Sequence, residues 1–380
     1  MPWECDDAKL AGVRELMAEE GLDALVVRAP DNVLYLTNFW GMKGYDACVF
    51  PREGEPVLIT IEASEEDAAR MAWTEDVRLI RGYDAEDPRP PLARTLDAAV
   101  EAAGWYEHVG LELSLGTQAS DRMVGEPTTF TAGWFEAFPG AVDATPLLAR
   151  ARSIKTEQEI ERMRLANDIA AAAMEHVRGL LRPGMREAEA AALWQGFVHG
   201  EGTGWHGKVE LALPFSLVWA GRGIKTFTAT GALRVVEGEP VLFEIWVCAD
   251  GYWADHTKNL VLGELTPEYA ELEARLLEIY GEALAYIRPG APMAELDRQI
   301  RERIAPTHPI CHGVGARAHE PPYPHQAGGG EFAEGMVLAV EPGIYWPGGG
   351  GLRVEDNFLV TADGVERLSS FPDGVVACPT

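Results

Sequence analysis

Two helix–breaker–helix units, each followed by a hairpin carrying two acids, recur along this chain about 100 residues apart. Any fold must treat them as related halves. In the first, Thr156 and Glu159 form a T-x-x-E capping box that predicts a helix running to about Leu181. Arg182-Pro183-Gly184 breaks it, and a second helix is predicted over "MREAEAAALWQGFV". In the second unit Thr266-Pro267 opens a helix, Arg288-Pro289-Gly290 breaks it, and "APMAELDRQIRERI" follows. Pro183 and Pro289 stand 106 residues apart. The acids repeat too: Glu244 recurs as Glu341, 97 residues on, and Asp255 as Glu355, 100 residues on. This order predicts an internal duplication, with two hairpins facing each other about a pseudo-two-fold axis.

The residues before this region follow another pattern. Leu10, Val13, Leu16 and Met17 form a helical apolar face ending at Gly21. "ALVVRA", "VLYLTNF" and "PVLITI" are expected as buried strands, and Ser64 as the cap of a helix over "EEDAARMA". No cluster of His, Cys and acids marks this part as reactive. Residues 1–150 are therefore read as an α/β support domain and 151–380 as the domain that carries the chemistry.

Composition excludes several partners. The formal charge is −28, and only six lysines are present, so a nucleic acid or an anionic membrane lacks a cationic face to bind. No run of 18 apolar residues exists, and "MPWECDDAKL" has acids where a signal peptide needs a positive start, so the expected location is the cytoplasm. Five scattered cysteines suit reduced thiols. Of these, Cys248 and Cys311 are expected to be inert filler near the acids.

The strand "VLFEIWVC" is apolar on both faces except at Glu244. A buried carboxylate costs several kcal/mol without a partner, so a cation is required. Glu244 and Asp255 lie symmetrically about the first turn, Glu341 and Glu355 about position 348. Such pairs are expected opposite each other, with Cβ atoms roughly 4.5–5.5 Å apart. A turn centred on Asp250-Gly251 would demand a bulge. Between the hairpins, "HPICHGVGARAHEPPYPHQAGGG" supplies His312 and His319, with Gly313 and Gly315 allowing close backbone approach. Four carboxylates and an imidazole suit Mn²⁺, Co²⁺, Fe²⁺ or Zn²⁺. Two such ions bridged by carboxylates could activate a water and stabilise an oxyanion. His206, 106 residues before His312, is a candidate to border the site from the other half. Trp246, Tyr252 and Trp253 are read as core, and His256 as facing away from Asp255.

The segments "HGVGARAHEPP" and "VLAVEPGIYWPGGGGLRVEDNFLVT", with the acid-bearing strand pair, resemble the creatinase, prolidase and aminopeptidase P family of pita-bread metallohydrolases. "GLDALVVRAPDNVLYLTNF" resembles that family's N-terminal domain, and "ARSIKTEQEIERMRLANDIA" its linker and first helix. The resemblance implies an α/β N-terminal domain followed by an α+β pita-bread domain with internal pseudo-two-fold duplication. It places Glu244, Asp255, His312, Glu341 and Glu355 on the metal-ligand positions, His319 on a substrate-contacting histidine, and Arg353 on an arginine that pairs with a ligand carboxylate. It also implies two divalent ions and a homodimer. Three residues depart from the family pattern. Glu244 is one methylene longer than the usual aspartate, Phe227 stands where prolidases carry a histidine, and Cys311 replaces a glycine.

The leading functional expectation is a dinuclear metal-dependent hydrolase of amide bonds, acting on an Xaa-Pro dipeptide or short peptide. One alternative, motivated by Phe227 and nearby aromatic residues, is an enzyme like creatinase, ectoine hydrolase or a dimethylsulfoniopropionate lyase, acting on a small osmolyte-type molecule. The other is a catalytically silent binding module like the peptidase-like domain of some histone chaperones.

Overall fold

The computed structural model describes residues 3–42, 44–112, 128–226, 228–305 and 308–379, and the chain divides into two compact units, Met1–Arg152 and Ser153–Thr380. The first unit contains, in chain order, α1 (Asp7–Glu19), β1 (Ala24–Val27), α2 (Pro30–Thr37), β2 (Ala47–Pro51), β3 (Val57–Ile61), α3 (Glu65–Met71) and β4 (Val77–Ile80). It continues with α4 (Pro91–Ala103), β5 (Val109–Leu111), α5 (Thr128–Ala137), β6 (Val142–Asp143) and α6 (Thr145–Ser153). Its six strands form one mixed sheet in the order β4-β3-β2-β1-β5-β6. Alternate residues of β1 enter two different cores: Leu25 and Val27 pack with Val13, Met17 and Phe50, while Ala24 and Val26 pack with Ile59, Ala99 and Trp134. Burial on both faces explains why "ALVV" carries no polar residue.

Two local expectations fail here. The run from Val33 to Thr37 is helical, not extended. Pro30 at the first turn presets a helical φ, Asn38 ends the helix in the left-handed conformation (φ 59°), and the Thr37 hydroxyl donates to the Val33 carbonyl. Ser64 precedes α3, but its side chain caps nothing, because Glu62–Ser64 already forms a 3₁₀ turn leading into the helix.

The second unit opens with α7 (Glu157–Leu180) and α8 (Glu187–Phe197), then β7 (Ala212–Ala220), β8 (Pro240–Ala249), β9 (Tyr252–Val261), α9 (Pro267–Tyr286) and α10 (Met293–Arg303). Seven short strands follow: β10 (Cys311–Gly313), β11 (Val337–Val340), β12 (Gly343–Tyr345), β13 (Gly351–Arg353), β14 (Asp356–Thr361), β15 (Gly364–Arg367) and β16 (Val375–Ala377). The capping box forms as expected, with Thr156 Oγ1 accepting from Glu159 N and Glu159 Oε2 from Thr156 N. Met163, Ala166, Ala170, Ala173 and Val177 give α7 a buried stripe, which packs on β8 and β9. In the second half Leu276, Ile279, Leu296 and Ile300 share a core with Leu338, Val340, Phe358 and Val360. Each such aliphatic side chain contributes about 1.5–3 kcal/mol on burial.

The duplication extends to individual hydrogen bonds. Gly184 N donates to Val235 O and Gly290 N to Phe332 O, both at 2.9 Å. Both glycines adopt positive φ, 78° and 80°, which the turn after each helix requires. Glu187 N donates to Leu233 O, and Met293 N to Gly330 O. The bridges Arg186↔Arg234 and Pro292↔Glu331 correspond in the same way. One sheet runs β16-β9-β8-β7 and the other β10-β11-β14-β15, so β7, β8 and β9 correspond to β10, β11 and β14. The symmetry ends at the fourth strand, since β16 runs parallel to β9 while β15 is antiparallel to β14.

Candidate metal centre

The first hairpin turns on two residues, Asp250 (φ 47°) and Gly251 (φ 87°). The turn is held because the Asp250 carboxylate accepts from Glu210 N and Leu211 N. A two-residue turn with both φ positive needs no bulge. It sets Glu244 opposite Thr257, and Asp255 opposite Trp246. Glu244 and Asp255 are therefore diagonal neighbours on one face, not directly opposed as expected. The second hairpin does keep its acids in opposite register: Val340 pairs with Asp356 and Gly343 with Arg353, which leaves Glu341 facing Glu355.

The two hairpins are joined by a reciprocal pair of contacts. Glu355 N donates to Thr257 O at 3.3 Å, while Asp255 N donates to Asn357 Oδ1 at 3.0 Å. Adding 100 to 255 and 257 gives 355 and 357, so the two contacts join corresponding residues, one through a main-chain carbonyl and the other through a side-chain amide. Asn357 Nδ2 also donates to Asp255 O at 2.8 Å, which fixes the strand beneath the acid.

His312 sits mid-strand in β10, and Glu341 N donates to Ile310 O, so β10 and the end of β11 aim both side chains at the joined hairpins. His312 Nε2 lies 3.4 Å from Glu341 Oε1, 3.7 Å from Asp255 Oδ2 and 4.0 Å from Glu355 Oε1. Its Nδ1 lies 3.0 Å from Gly313 O, a contact that fixes the ring's orientation. The chain then folds back: Gly313 N donates to Pro322 O, and Glu320 N to Gly313 O. A Cβ on Gly313 would stand 2.4 Å from Pro321 O, so only glycine permits this approach. The return brings the His319 ring to 4.5 Å from that of His312 and its Nε2 to 3.4 Å from Asp255 Oδ2. Beneath it, Lys155 Nζ and Glu320 Oε1 form a buried ion pair at 2.9 Å.

Glu244 and Arg353 are paired directly, and the guanidinium is only 3% exposed. Arg353 Nε also donates to Thr257 Oγ1 at 2.6 Å, and that hydroxyl donates to Glu355 Oε2 at 2.7 Å. His206 lies elsewhere, on the exposed turn Trp205–Gly207, with its ring against Trp205 and its charge felt by Asp168. The recurrence at 106 residues holds for the helices but does not carry this loop to the acids. Phe227 lies outside the described residues. His256 faces away from Asp255 as expected and meets Asp356, and Cys248 and Cys311 are buried thiols whose ionisation burial opposes.

Sequence reasoning missed four residues. His308 Nδ1 lies 3.2 Å from Glu341 Oε2 and its Nε2 3.0 Å from the Tyr345 hydroxyl. Its spacing of four from His312 was the available signal. Thr257 links Arg353 to Glu355, and Asn357 anchors Asp255. Trp246 is buried, yet it also borders the site, 6.3 Å from the His319 ring and 5.2 Å from that of Phe215.

Electrostatics set these groups apart. Burial, with Glu355, Glu341 and Glu244 nearby, pushes the Asp255 carboxyl well above the usual range. Burial and Glu341 push Glu355 up to about 8. Burial also opposes ionised Glu341, but the adjacent His308 and His312 rings outweigh it and hold that carboxyl low. His312 is disfavoured as a cation by burial, yet the Glu341 carboxylate 3.4 Å away wins and raises it. His319 moves the other way, pushed by burial and by His312 down to about 3, which leaves it neutral.

These residues fit a metal ion. Asp255 Oδ2 and His312 Nε2 are buried with no hydrogen-bond partner. Donor atoms of Asp255, His312 and His319 lie within 4.8 Å of one another, as do those of His312, Glu341 and Glu355. Carboxylate oxygen with imidazole nitrogen suits Mn²⁺, Fe²⁺, Co²⁺ or Zn²⁺. A dication would stand where protons otherwise offset the acids' repulsion.

Two duplicated acid-bearing hairpins with histidines between them, preceded in the chain by a six-stranded α/β unit, define a class of hydrolase with the creatinase–prolidase architecture. Residues 161–362 match metallopeptidase family M24 and residues 9–165 match the creatinase/prolidase N-terminal domain, so the chain belongs to that peptidase family. An uncharacterized peptidase of Staphylococcus aureus (strain USA300) is 26% identical over 374 residues, 96% of this chain and 99% of the relative. Among solved structures, an Xaa-Pro dipeptidase from Bacillus anthracis superposes with a TM-score of 0.79 at 23% identity, covering 98% of this chain and 99% of that one. The prolidase from Pyrococcus horikoshii OT3 gives 0.78 at 24% identity, covering 96% and 99%. Dipeptidase PepE from Mycobacterium ulcerans gives 0.79 at 22% identity over the whole of both chains. At these identities the structural matches establish the shared fold.

Proposed function

We propose that this chain is a divalent-metal-dependent hydrolase of amide bonds in dipeptides or short peptides, with Xaa-Pro substrates first in order. The observation that carries the reading is the buried, unpartnered pair Asp255 Oδ2 and His312 Nε2, set among Glu341 and Glu355. Membership of a metallopeptidase family and the names of the superposed dipeptidases support the substrate class. Asp255, His312, Glu341 and Glu355 would hold the metal, which when bound supplies Lewis acidity and an activated water.

The chain's own residues divide the remaining work. His308 and His312 keep Glu341 ionised, and Thr257 with Arg353 orients Glu355. His319 is the partly exposed member, with its side chain 36% accessible. As a neutral imidazole it can donate one hydrogen bond to a reacting carbonyl oxygen without a competing charge. Trp246 and Phe215 form an apolar wall beside it.

That wall also favours a second reading, a small methylated or zwitterionic substrate held by aromatic faces. Purified protein reloaded with Mn²⁺, Co²⁺ or Zn²⁺ should be assayed on Gly-Pro and Ala-Pro, and on creatine, ectoine and dimethylsulfoniopropionate. Metal-dependent turnover of the proline dipeptides supports the first reading. Turnover of the second group alone replaces it, and no bound metal under any loading condition removes both.

A further inference from the structure

We infer that Trp246 is the specificity-determining residue of this centre, limiting it to substrates whose residue at the reacting carbonyl carries a small side chain. The inference rests on the amide-hydrolase reading above and narrows the substrate class within it.

Successive residues of a strand point to opposite faces, so alternate residues of β7, β8 and β9 share the face that carries the acids. On β8 these are Glu244, Trp246 and Cys248, and on β9 they are Trp253, Asp255 and Thr257. On β7 they are Leu213, Phe215 and Leu217. Trp246 stands in the middle of this face, directly opposite Asp255 on one side and Phe215 on the other.

The indole is only 3% exposed. Phe215 packs on it with ring centres 5.2 Å apart, and the His319 ring meets it edge-on at 6.3 Å. It could turn aside only by giving up both contacts. Leu213, Phe215 and Leu217 are half-buried, so the accessible apolar surface of this face lies on β7, one strand further from Asp255. The ground next to Asp255 and His319 is already filled by the indole.

His319 is the partly exposed histidine and the donor assigned to the reacting carbonyl. A carbonyl oxygen placed on its ring brings the residue that owns that carbonyl against Trp246. A hydrogen or a methyl group at that position asks for little room. Further methylenes meet a close-packed ring and force it from its place. Glycyl and alanyl amides are the class this geometry admits.

The test uses full-length protein reloaded with Mn²⁺ and two parallel series. Turnover is measured as kcat/KM on Gly-Pro, Ala-Pro, Leu-Pro and Phe-Pro. Binding is measured by titration calorimetry with the hydroxamates of glycine, alanine, leucine and phenylalanine. In both series the leucine and phenylalanine members should be at least about tenfold poorer than alanine, within the range that overpacking a filled space costs. Trp246→Ala should remove the penalty on leucine, while Trp246→Phe, which keeps a ring, should retain most of it. A wild type that takes leucine as readily as alanine would overturn the inference and leave the amide-hydrolase reading standing. An equal fall on every substrate in Trp246→Ala, with the order of preference unchanged, would overturn it as well and reduce the indole to a support for His319. Size selection among the hydroxamates without turnover of any peptide would uphold the limit and remove the peptide substrate. Protein that takes up no Mn²⁺ would remove both. Should Trp246→Ala not fold, Trp246→Leu frees part of the same space and is read in its place.

Discussion

His256 Nδ1 lies 3.2 Å from Asp356 Oδ1, and the two residues are one duplication step, 100 positions, apart. The pair therefore straddles the pseudo-two-fold axis, on the strand faces turned away from the acid cluster. Asp356 also pairs with Lys258 at 2.6 Å and Arg367 at 2.5 Å, and it is fully buried. It is the anion that locks the two sheets together behind the site. Asp356→Ala leaves buried Lys258 with Asp373, 3.9 Å away, and should cost about 3–5 kcal/mol. Urea unfolding monitored by tryptophan fluorescence measures this, and a loss below 1 kcal/mol would show that the network is not structural.

The two histidines should separate binding from catalysis. His312→Ala removes a buried donor, and Mn²⁺ affinity should fall by more than the roughly 10–100-fold that losing an outer partner costs. His319→Ala should leave a bound ion in place while kcat falls about 100-fold, the scale of one lost oxyanion donor. Titration calorimetry alongside steady-state assays distinguishes them. Equal loss of metal in both variants would make His319 a ligand in its own right.

Lys155 and Glu320 tie the start of the second unit to the loop bearing His319, and both are buried. Lys155→Met should destabilise by about 3–5 kcal/mol, since Glu320 is left charged and buried. The double variant Lys155→Met with Glu320→Gln should recover part of that loss. A double-mutant cycle reads the coupling directly, and strict additivity would mean that the pair contributes nothing.

A pH effect is expected in the first unit. Asp46 is buried, and burial raises its carboxyl above the ordinary value, although a hydrogen bond from Thr60 at 2.6 Å works the other way. Because the folded pKa is the higher one, stability from this group is complete below the unfolded value near 3.8. It declines as pH rises through the folded pKa. Asp46→Asn keeps an acceptor for Thr60 and should flatten this dependence between pH 4 and 7. Parallel urea midpoints at both pH values test it, and an unchanged slope would assign the dependence to other groups.

Much of the second unit was legible because its signals are local and repeated. Pro183-Gly184 and Pro289-Gly290 stop helices by backbone chemistry alone, and Thr156 with Glu159 starts one. The Glu341–Glu355 register followed from residue spacing about the glycine run. The Glu244–Asp255 register does not follow from the acids' symmetry, because the Asp250-Gly251 dipeptide, itself a two-residue turn signal, sets it. "VLYLTNF" was ambiguous as a short apolar run, and Pro30 and Asn38 decide it as a helix. Glu244's capture by Arg353 and the placing of His308 beside Glu341 are tertiary facts. No periodicity encodes them.

The most direct measurement is an anomalous-difference map from crystals grown in saturating Mn²⁺. It should show a peak bounded by Asp255, His312, Glu341 and Glu355, with Glu244 remaining on Arg353. Those four side chains dispersed, or enclosing water alone at full Mn²⁺ saturation, would contradict the account.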